Sequence, residues 1–170
     1  MQPVECTLEM MLAARDTRRE RQEIHFAHTP EFTLLVATVV APGKYKLTDR
    51  TAIVAEAERR ELHGCFAGVI KDELSLDLPT GHETWLTLDL DAMQAKRLAV
   101  QIEDTHPLGR LFDIDVITPS LVPVSRSELG LSPRACLLCG NEARVCMRAH
   151  THSAEEVEAR ITSMIDSYTP

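Results

Sequence analysis

Asp113 and Asp115 stand one residue apart in the run Gly109-Arg110-Leu111-Phe112-Asp113-Ile114-Asp115-Val116. Side chains of an extended strand alternate between faces, so Phe112, Ile114 and Val116 are expected to enter a core while both carboxylates project to the other side. With a rise near 3.3 Å per residue their Cα atoms lie ~7 Å apart, within reach of one hard divalent cation or a closely spaced pair. Mg²⁺ suits oxygen donors of this kind and keeps its remaining positions for water or phosphate oxygens. The chemistry expected of the pair is therefore metal-assisted work on a phosphate. Gly109 permits a close backbone approach, and Arg110 offers a guanidinium to the same phosphate. The competing reading is a solvated strand face, because a short acidic pattern is unspecific by itself.

A second group lies downstream. Cys136-x2-Cys139-x6-Cys146, with His150 or His152 beyond it, carries the ligand types of a Cys₃His zinc site, although its third cysteine comes sooner than in common zinc ribbons. Buried reduced thiols are the alternative. His106 offers a base or a phosphate contact, although a lone histidine before Pro107 is more often a structural ring bonded to its neighbours. Arg15, Arg18, Arg19 and Arg21 form a basic cluster able to hold one anionic ligand, or a solvated helix face. The seven glycines form no Gly-x-Gly-x-x-Gly or Gly-x4-Gly-Lys-Ser/Thr element, and no Gly-x-Ser-x-Gly elbow is present. The common dinucleotide, P-loop and serine-hydrolase readings are thereby set aside.

These residues need elements to position them. Thr7 is expected to cap a helix running to about Glu23, followed by a buried strand from Phe32 to Val40 that Ala41-Pro42-Gly43 closes. Thr48 or Asp49 caps a second helix that ends near Gly64. Strands are expected at Cys65 to Ile70 and Leu74 to Leu78, and Leu86, Leu88 and Leu90 alternate in the same way. Asp91 caps a helix whose Ala92, Ala95, Leu98, Ala99 and Ile102 form an apolar stripe that breaks at Pro107. Arg110 to Ile117 returns to period two, and Thr118-Pro119-Ser120 is expected to turn into a partner strand, Leu121 to Ser125. Residues 126 to 135 read as loop, and Ser153 with Glu156 forms a capping box for a last helix. Helices and strands intersperse, which predicts an α+β or mixed α/β domain spanning residues 1–170, with the Cys/His cluster at 134–152 inside it.

Composition narrows the class. With 44% hydrophobic and 26% charged residues the chain is globular, and its net charge of -8 opposes a general nucleic-acid binder. No signal peptide is visible, and the longest apolar stretch falls short of the roughly 20 residues a spanning helix needs. A cytoplasmic protein without a membrane partner is expected. In that compartment five cysteines are read as thiols or metal ligands, not as disulfides.

Taken together, Arg15-Asp16-x-Arg18-x2-Arg21-Gln22, Val39-Val40-Ala41-Pro42-Gly43 with Lys46, the stretch His106 to Val116, and Arg134-x-Cys136-Leu137-Leu138-Cys139 with Cys146 and His152 resemble one family. It is that of the citrate lyase holo-acyl-carrier-protein synthases, or apo-citrate lyase phosphoribosyl-dephospho-CoA transferases, and the resemblance runs through nearly the whole chain. It implies transfer of the 2'-(5''-phosphoribosyl)-3'-dephospho-CoA group from its triphosphate precursor to a serine of the acyl-carrier subunit of citrate lyase, with release of diphosphate. It also implies a nucleotidyltransferase-like mixed sheet with flanking helices, in which Asp113 and Asp115 are essential. No Gly-Ser phosphate element precedes the pair and no third carboxylate is placed. A phosphate cradle is instead expected from Arg15, Arg18, Arg21, Lys46 and Arg110. A zinc-stabilised, non-catalytic binding protein for the acyl-carrier subunit and a metal-dependent phosphohydrolase stay open as alternatives.

Overall fold

A computed structural model describes residues 4–169. Along the chain run α1 (Leu8–His28), β1 (Thr33–Val39), α2 (Asp49–Cys65), β2 (Ile70–Leu78), β3 (Gly81–Leu88), α3 (Ala92–Thr105), β4 (Phe112–Ile117), α4 (Ala143–Ala149) and α5 (Ala154–Asp166). The helix starts follow their caps. Thr7 accepts the Met10 N–H, Asp91 accepts those of Met93 and Gln94, and Thr48 and Ser153 build capping boxes with Thr51 and Glu156. Each such cap is worth about 1 kcal/mol.

The four strands form one sheet in the order β2-β3-β1-β4. A mixed sheet was expected, but each pairing is antiparallel. The succession β1-α2-β2-β3-α3-β4 in that spatial order is the split β-α-β arrangement of ferredoxin-like folds. Its logic is one of faces. Leu35, Ala37, Leu86, Leu88, Phe112, Ile114 and Val116 turn to one side and pack with Val54, Leu62, Ala95, Ala99 and Ile102 of α2 and α3. Helix α5 adds Ile161 and Ile165 to that core. The opposite face carries a smaller cluster, Phe26 of α1 with Leu34, Val36, Trp85 and Ile117. The large core thus holds the sheet from behind, and α1 lies across part of its front.

Two expected strands are corrected. Cys65 to Ile70 is not a strand, because α2 runs to Cys65 and a turn closed by the Val69 N–H on the Phe66 carbonyl (3.1 Å) leads into β2. Leu121 to Ser125 reaches β4 only through the bridge of Ile117 with Pro123 and the Val124 N–H on the Val116 carbonyl (2.8 Å). Pro123 has no N–H to extend the ladder. Strand β3 begins earlier than the leucine alternation indicates, since His82, Glu83 and Thr84 are buried strand residues too.

Strand β4 lies at the sheet's edge, yet several of its outward peptide groups find partners. The Ile114 N–H donates to Glu103 (3.0 Å), the Ile114 carbonyl accepts from Lys96 (2.8 Å), and the Phe112 carbonyl accepts from Arg134 (2.6 Å). Inward-turned charged side chains blunt the edge in place of another strand.

Candidate active site

Paired residues of neighbouring strands share a face, so the register locates the carboxylates. Thr38 of β1 pairs with Asp113 on one side and Glu83 on the other, and Val36 pairs with Asp115 and Trp85. Asp113 and Asp115 therefore stand on the front face, exposed to solvent, while their neighbours Phe112, Ile114 and Val116 are buried behind. Crowding by protein, and then the Asp113 carboxylate, push the Asp115 carboxyl above its ordinary range. A cation would relieve that repulsion, so the pair fits a Mg²⁺ site on its own electrostatics.

Beside the pair opens a cleft of about 590 Å³, lined by Asp113, Asp115, Lys96, Glu103, Arg126, Arg134 and Arg144, with Leu131 and Met147 among its apolar residues. Glu103 organises its cationic wall. That carboxylate is 4% exposed and takes Arg134 at 2.7 Å and Arg126 at 2.9 Å. Arg134 also stands 3.7 Å from Asp113. Carboxylates and guanidinium groups thus share one cleft, a donor set that suits a metal-bound phosphate.

On the same face, one row of the sheet holds a second ionic group. Glu83, 4% exposed, meets Arg18 at 3.2 Å and Arg21 at 3.9 Å, and accepts the Trp85 indole N–H at 3.0 Å. Arg21 also lies 5.2 Å from the centre of the Trp85 ring. With strands about 4.8 Å apart and one strand between them, Glu83 and Asp113 are separated by roughly 10 Å.

The Cys cluster forms a compact module under the cleft. Ligand atoms of Cys136, Cys139, Cys146 and His152 all lie within 4.8 Å of one another. The Cys139 sulfur is 3.5 Å from that of Cys146 and 3.4 Å from His152 Nε2. A tetrahedral ion with 2.3 Å metal–sulfur bonds needs sulfurs ~3.8 Å apart, so these donors can hold a metal such as zinc. Burial pushes the Cys136 thiol up, but N–H groups of Leu138 and Cys139 and the neighbouring thiols outweigh it and bring it down to about 6. All five cysteines are free. The module is tied to the cleft through Arg134, whose carbonyl accepts the Ala143 N–H at 2.9 Å, and through Arg110, which donates to the Ala135 carbonyl.

A family model described as apo-citrate lyase phosphoribosyl-dephospho-CoA transferase matches residues 6–168. The chain belongs to this transferase family. Similar proteins carry the same name: one from Escherichia coli O139:H28 is 34% identical over 159 residues, 92% of this chain and 86% of that one. One from Shigella flexneri serotype 5b is 35% identical over the same shares. Protein CitXG of Haemophilus influenzae is 33% identical over 165 residues, covering 95% of this chain and 35% of that longer protein.

Within this phosphoribosyl-dephospho-CoA transferase, the residues singled out by sequence separate into two sets. Asp113 and Asp115 are at the cleft, and Arg18 and Arg21 lie on the same sheet face, held by Glu83. The others are placed elsewhere. Arg15 points to solvent. Lys46 is spent on the Ala41 carbonyl. Gly109 makes its close approach to the end of α3, where an added Cβ would stand 2.5 Å from the Glu103 carbonyl oxygen. His106 accepts the Leu108 N–H and stacks on Phe112, a residue of the rear core, so it is behind the sheet from the Asp pair. Burial lowers its pKa. Arg110 borders the cleft wall without lining it, and burial and then Arg134 and Arg126 pull its pKa down.

Sequence reasoning missed Lys96, Glu103, Arg126 and Arg144, and used Arg134 only as a mark of the family resemblance. A signal existed for two of them. Lys96 and Glu103 follow Ala92 and Ala99 by four residues each, so they sit on the stripe that faces the sheet, where opposite charges need a buried polar partner.

Proposed function

We propose that the chain transfers the 2'-(5''-phosphoribosyl)-3'-dephospho-CoA group from its triphosphate precursor to a serine of the apo acyl-carrier subunit of citrate lyase, and that the β4 cleft is where it does so. The observation that carries this reading is the single cleft in which two accessible carboxylates stand beside Lys96, Arg134 and Arg144. The family's name supplies the transferred group and the citrate lyase acceptor.

In this reading Arg134 and Arg144 bind the triphosphate, while Arg18 and Arg21, steadied by Glu83, take its charged end or the nucleotide phosphates along the sheet face. The carrier serine forms a bond to the α-phosphorus and gives up its proton; the bond to the bridging oxygen breaks, and diphosphate leaves with the electron pair. Asp113 and Asp115 would hold Mg²⁺, which supplies neutralisation of charge on the phosphates. Positioning and charge stabilisation provide most of the acceleration, as is general for phosphoryl-type transfer. The nucleotidyltransferase likeness rests on this Asp pair. Cys136, Cys139, Cys146 and His152 are read as a structural zinc site within a single domain over residues 1–170. Free thiols of this kind suit the reducing cytoplasm. Among the described residues no helix is long and apolar enough to cross a membrane.

Mixing the purified chain, precursor, apo-carrier and Mg²⁺ and weighing the carrier by mass spectrometry tests the reaction. Asp113→Asn and Asp115→Asn keep size and hydrogen bonding but lose the charge that binds the cation. Each is expected to stay folded and to lower transfer at least about 10²-fold, since several kcal/mol of stabilisation are at stake and each 1.36 kcal/mol is tenfold in rate. Folded Asn variants with near-normal transfer at limiting Mg²⁺ would falsify the assignment. Diphosphate release without mass gain on the carrier would convert the reading to a phosphohydrolase.

A further inference from the structure

The helix at the cleft mouth departs from the acidic balance of the chain. The chain carries a net charge of -8, but both charged side chains of α4 are arginines, Arg144 and Arg148, and both are exposed. Between and beside them Val145 is 55% and Met147 68% exposed. Only Cys146 of this helix is buried, and it turns into the Cys/His cluster. A helix of seven residues is too short to be stable alone, so the cluster holds it in place. Arg144 and Met147 line the cleft, whereas Val145 and Arg148 do not. Helix α4 is therefore the cleft's rim, with one side toward the site and the other toward bulk water.

Single exposed apolar residues need no explanation, but two of them beside two arginines at the mouth of a site, with Glu142 the one acid at the helix start, mark an interaction surface. Val145 and Arg148 stand outside the cleft lining, on the side of the rim that faces bulk water. What must approach from outside is the molecule that brings the acceptor hydroxyl, and it has to cover the rim while its serine enters.

We infer that α4 is the docking surface for the acceptor protein, and that it takes an acidic, amphipathic segment of the acyl-carrier subunit. Apolar side chains of that segment cover Val145 and the outer edge of Met147, and its carboxylates face Arg148. Complementary charge then speeds encounter and fixes orientation, and the apolar pair supplies the desolvated centre. This inference rests on the transfer reaction proposed above. It also gives the Cys/His cluster a purpose beyond folding, since the cluster is the foundation on which the rim helix stands.

The test uses the full-length chain and purified apo acyl-carrier subunit. Val145→Asp and Arg148→Glu, singly and together, change residues outside the cleft lining. Carrier binding is measured by calorimetry at two salt concentrations, and steady-state kinetics give KM for carrier and precursor separately. Unchanged zinc content and melting temperature certify the fold, and the milder Arg148→Ala serves if either acidic variant misfolds. The double variant is expected to weaken carrier binding about tenfold or more and to raise the carrier KM in parallel, with the precursor KM unaltered. Wild-type affinity is expected to fall as salt rises, and the Arg148→Glu variant to lose much of that dependence. Carrier binding unchanged by all of these substitutions overturns the docking surface and leaves the transfer reaction standing. A wild-type chain that binds carrier through α4 but adds no mass to it overturns the transfer reading and leaves the docking surface standing.

Discussion

Glu103 is the side chain whose removal tests most of the architecture at once. Its carboxylate is buried, accepts the Ile114 N–H at 3.0 Å, and holds Arg134 at 2.7 Å and Arg126 at 2.9 Å. Replacement by Ala breaks a buried ion pair, about 3–5 kcal/mol, and leaves a strand-edge N–H without a partner, about 1–3 kcal/mol. The two costs do not add fully, because Arg126 keeps Asp104 and Arg134 keeps the Phe112 carbonyl and Asp113. A net loss of about 4 kcal/mol is expected for Glu103→Ala. Glu103→Gln still accepts the N–H and should lose about half as much. For a domain of this size each kcal/mol shifts Tm by roughly 2–4 °C, so the Ala variant should melt about 8–16 °C lower. Urea unfolding with an unchanged slope gives the free energies directly. Asp104→Ala, at the solvent end of the same network, should cost no more than about 1 kcal/mol. A Glu103→Ala loss under about 1 kcal/mol, or one equal to that of Asp104→Ala, refutes the view that this carboxylate holds both the β4 edge and the cationic wall.

Gly109→Ala places a Cβ 2.5 Å from the Glu103 carbonyl oxygen and 2.6 Å from that of Ile102, so it should destabilise by about 2 kcal/mol or more in the same urea assay, with the precursor KM unchanged. Glu58 is 1% exposed and one of its carboxylate oxygens lacks a partner; burial, then Asp113 and Glu103, raise its pKa well above 4.5. The folded protein therefore holds a proton that the unfolded chain has lost, and this group's contribution to stability falls as pH rises above about 4.5, by up to 1.36 kcal/mol per pH unit. Glu58→Gln should flatten that part of the pH–stability curve, and identical curves for the two proteins refute the assignment. Elemental analysis should find about one zinc per chain, and its removal should unfold the 134–152 segment by hydrogen exchange before the sheet opens. A zinc-free preparation with the same exchange pattern returns the cluster to buried thiols.

Helix starts were legible because capping is local chemistry: Thr7, Thr48, Asp91 and Ser153 each do what the sequence indicates. The alternation of β4 was legible for the same kind of reason. Failures occurred where tertiary context decides. The apolar Cys65 to Ile70 reads as strand, but its Phe66 is drawn into the core from a turn. The first half of β3 reads as polar, yet His82 and Glu83 are buried because Thr51 and Asp77 partner the first and Arg18, Arg21 and Trp85 the second. The two aspartates could be picked out from one strand's periodicity. The cationic wall could not, since Lys96, Arg126, Arg134 and Arg144 come from a helix, a loop and the Cys module, and only folding brings them to one edge.

The strand order sets a timetable for folding on the ribosome. β1 is central, and both of its neighbours are synthesised long after it: Leu35 must wait for Leu86, and then for Val116. Until then a run of β-prone, apolar sequence from Leu34 to Val39 has no ladder partner, the condition under which nascent chains pair with one another. The first pairing available is the local hairpin of β2 with β3, joined across Pro79 and Thr80. That hairpin offers β1 an edge to close upon, and β4 arrives last with the aspartates. On the reading proposed above, the site is complete only late in assembly, and closure of β1 across these long sequence separations is the slow step.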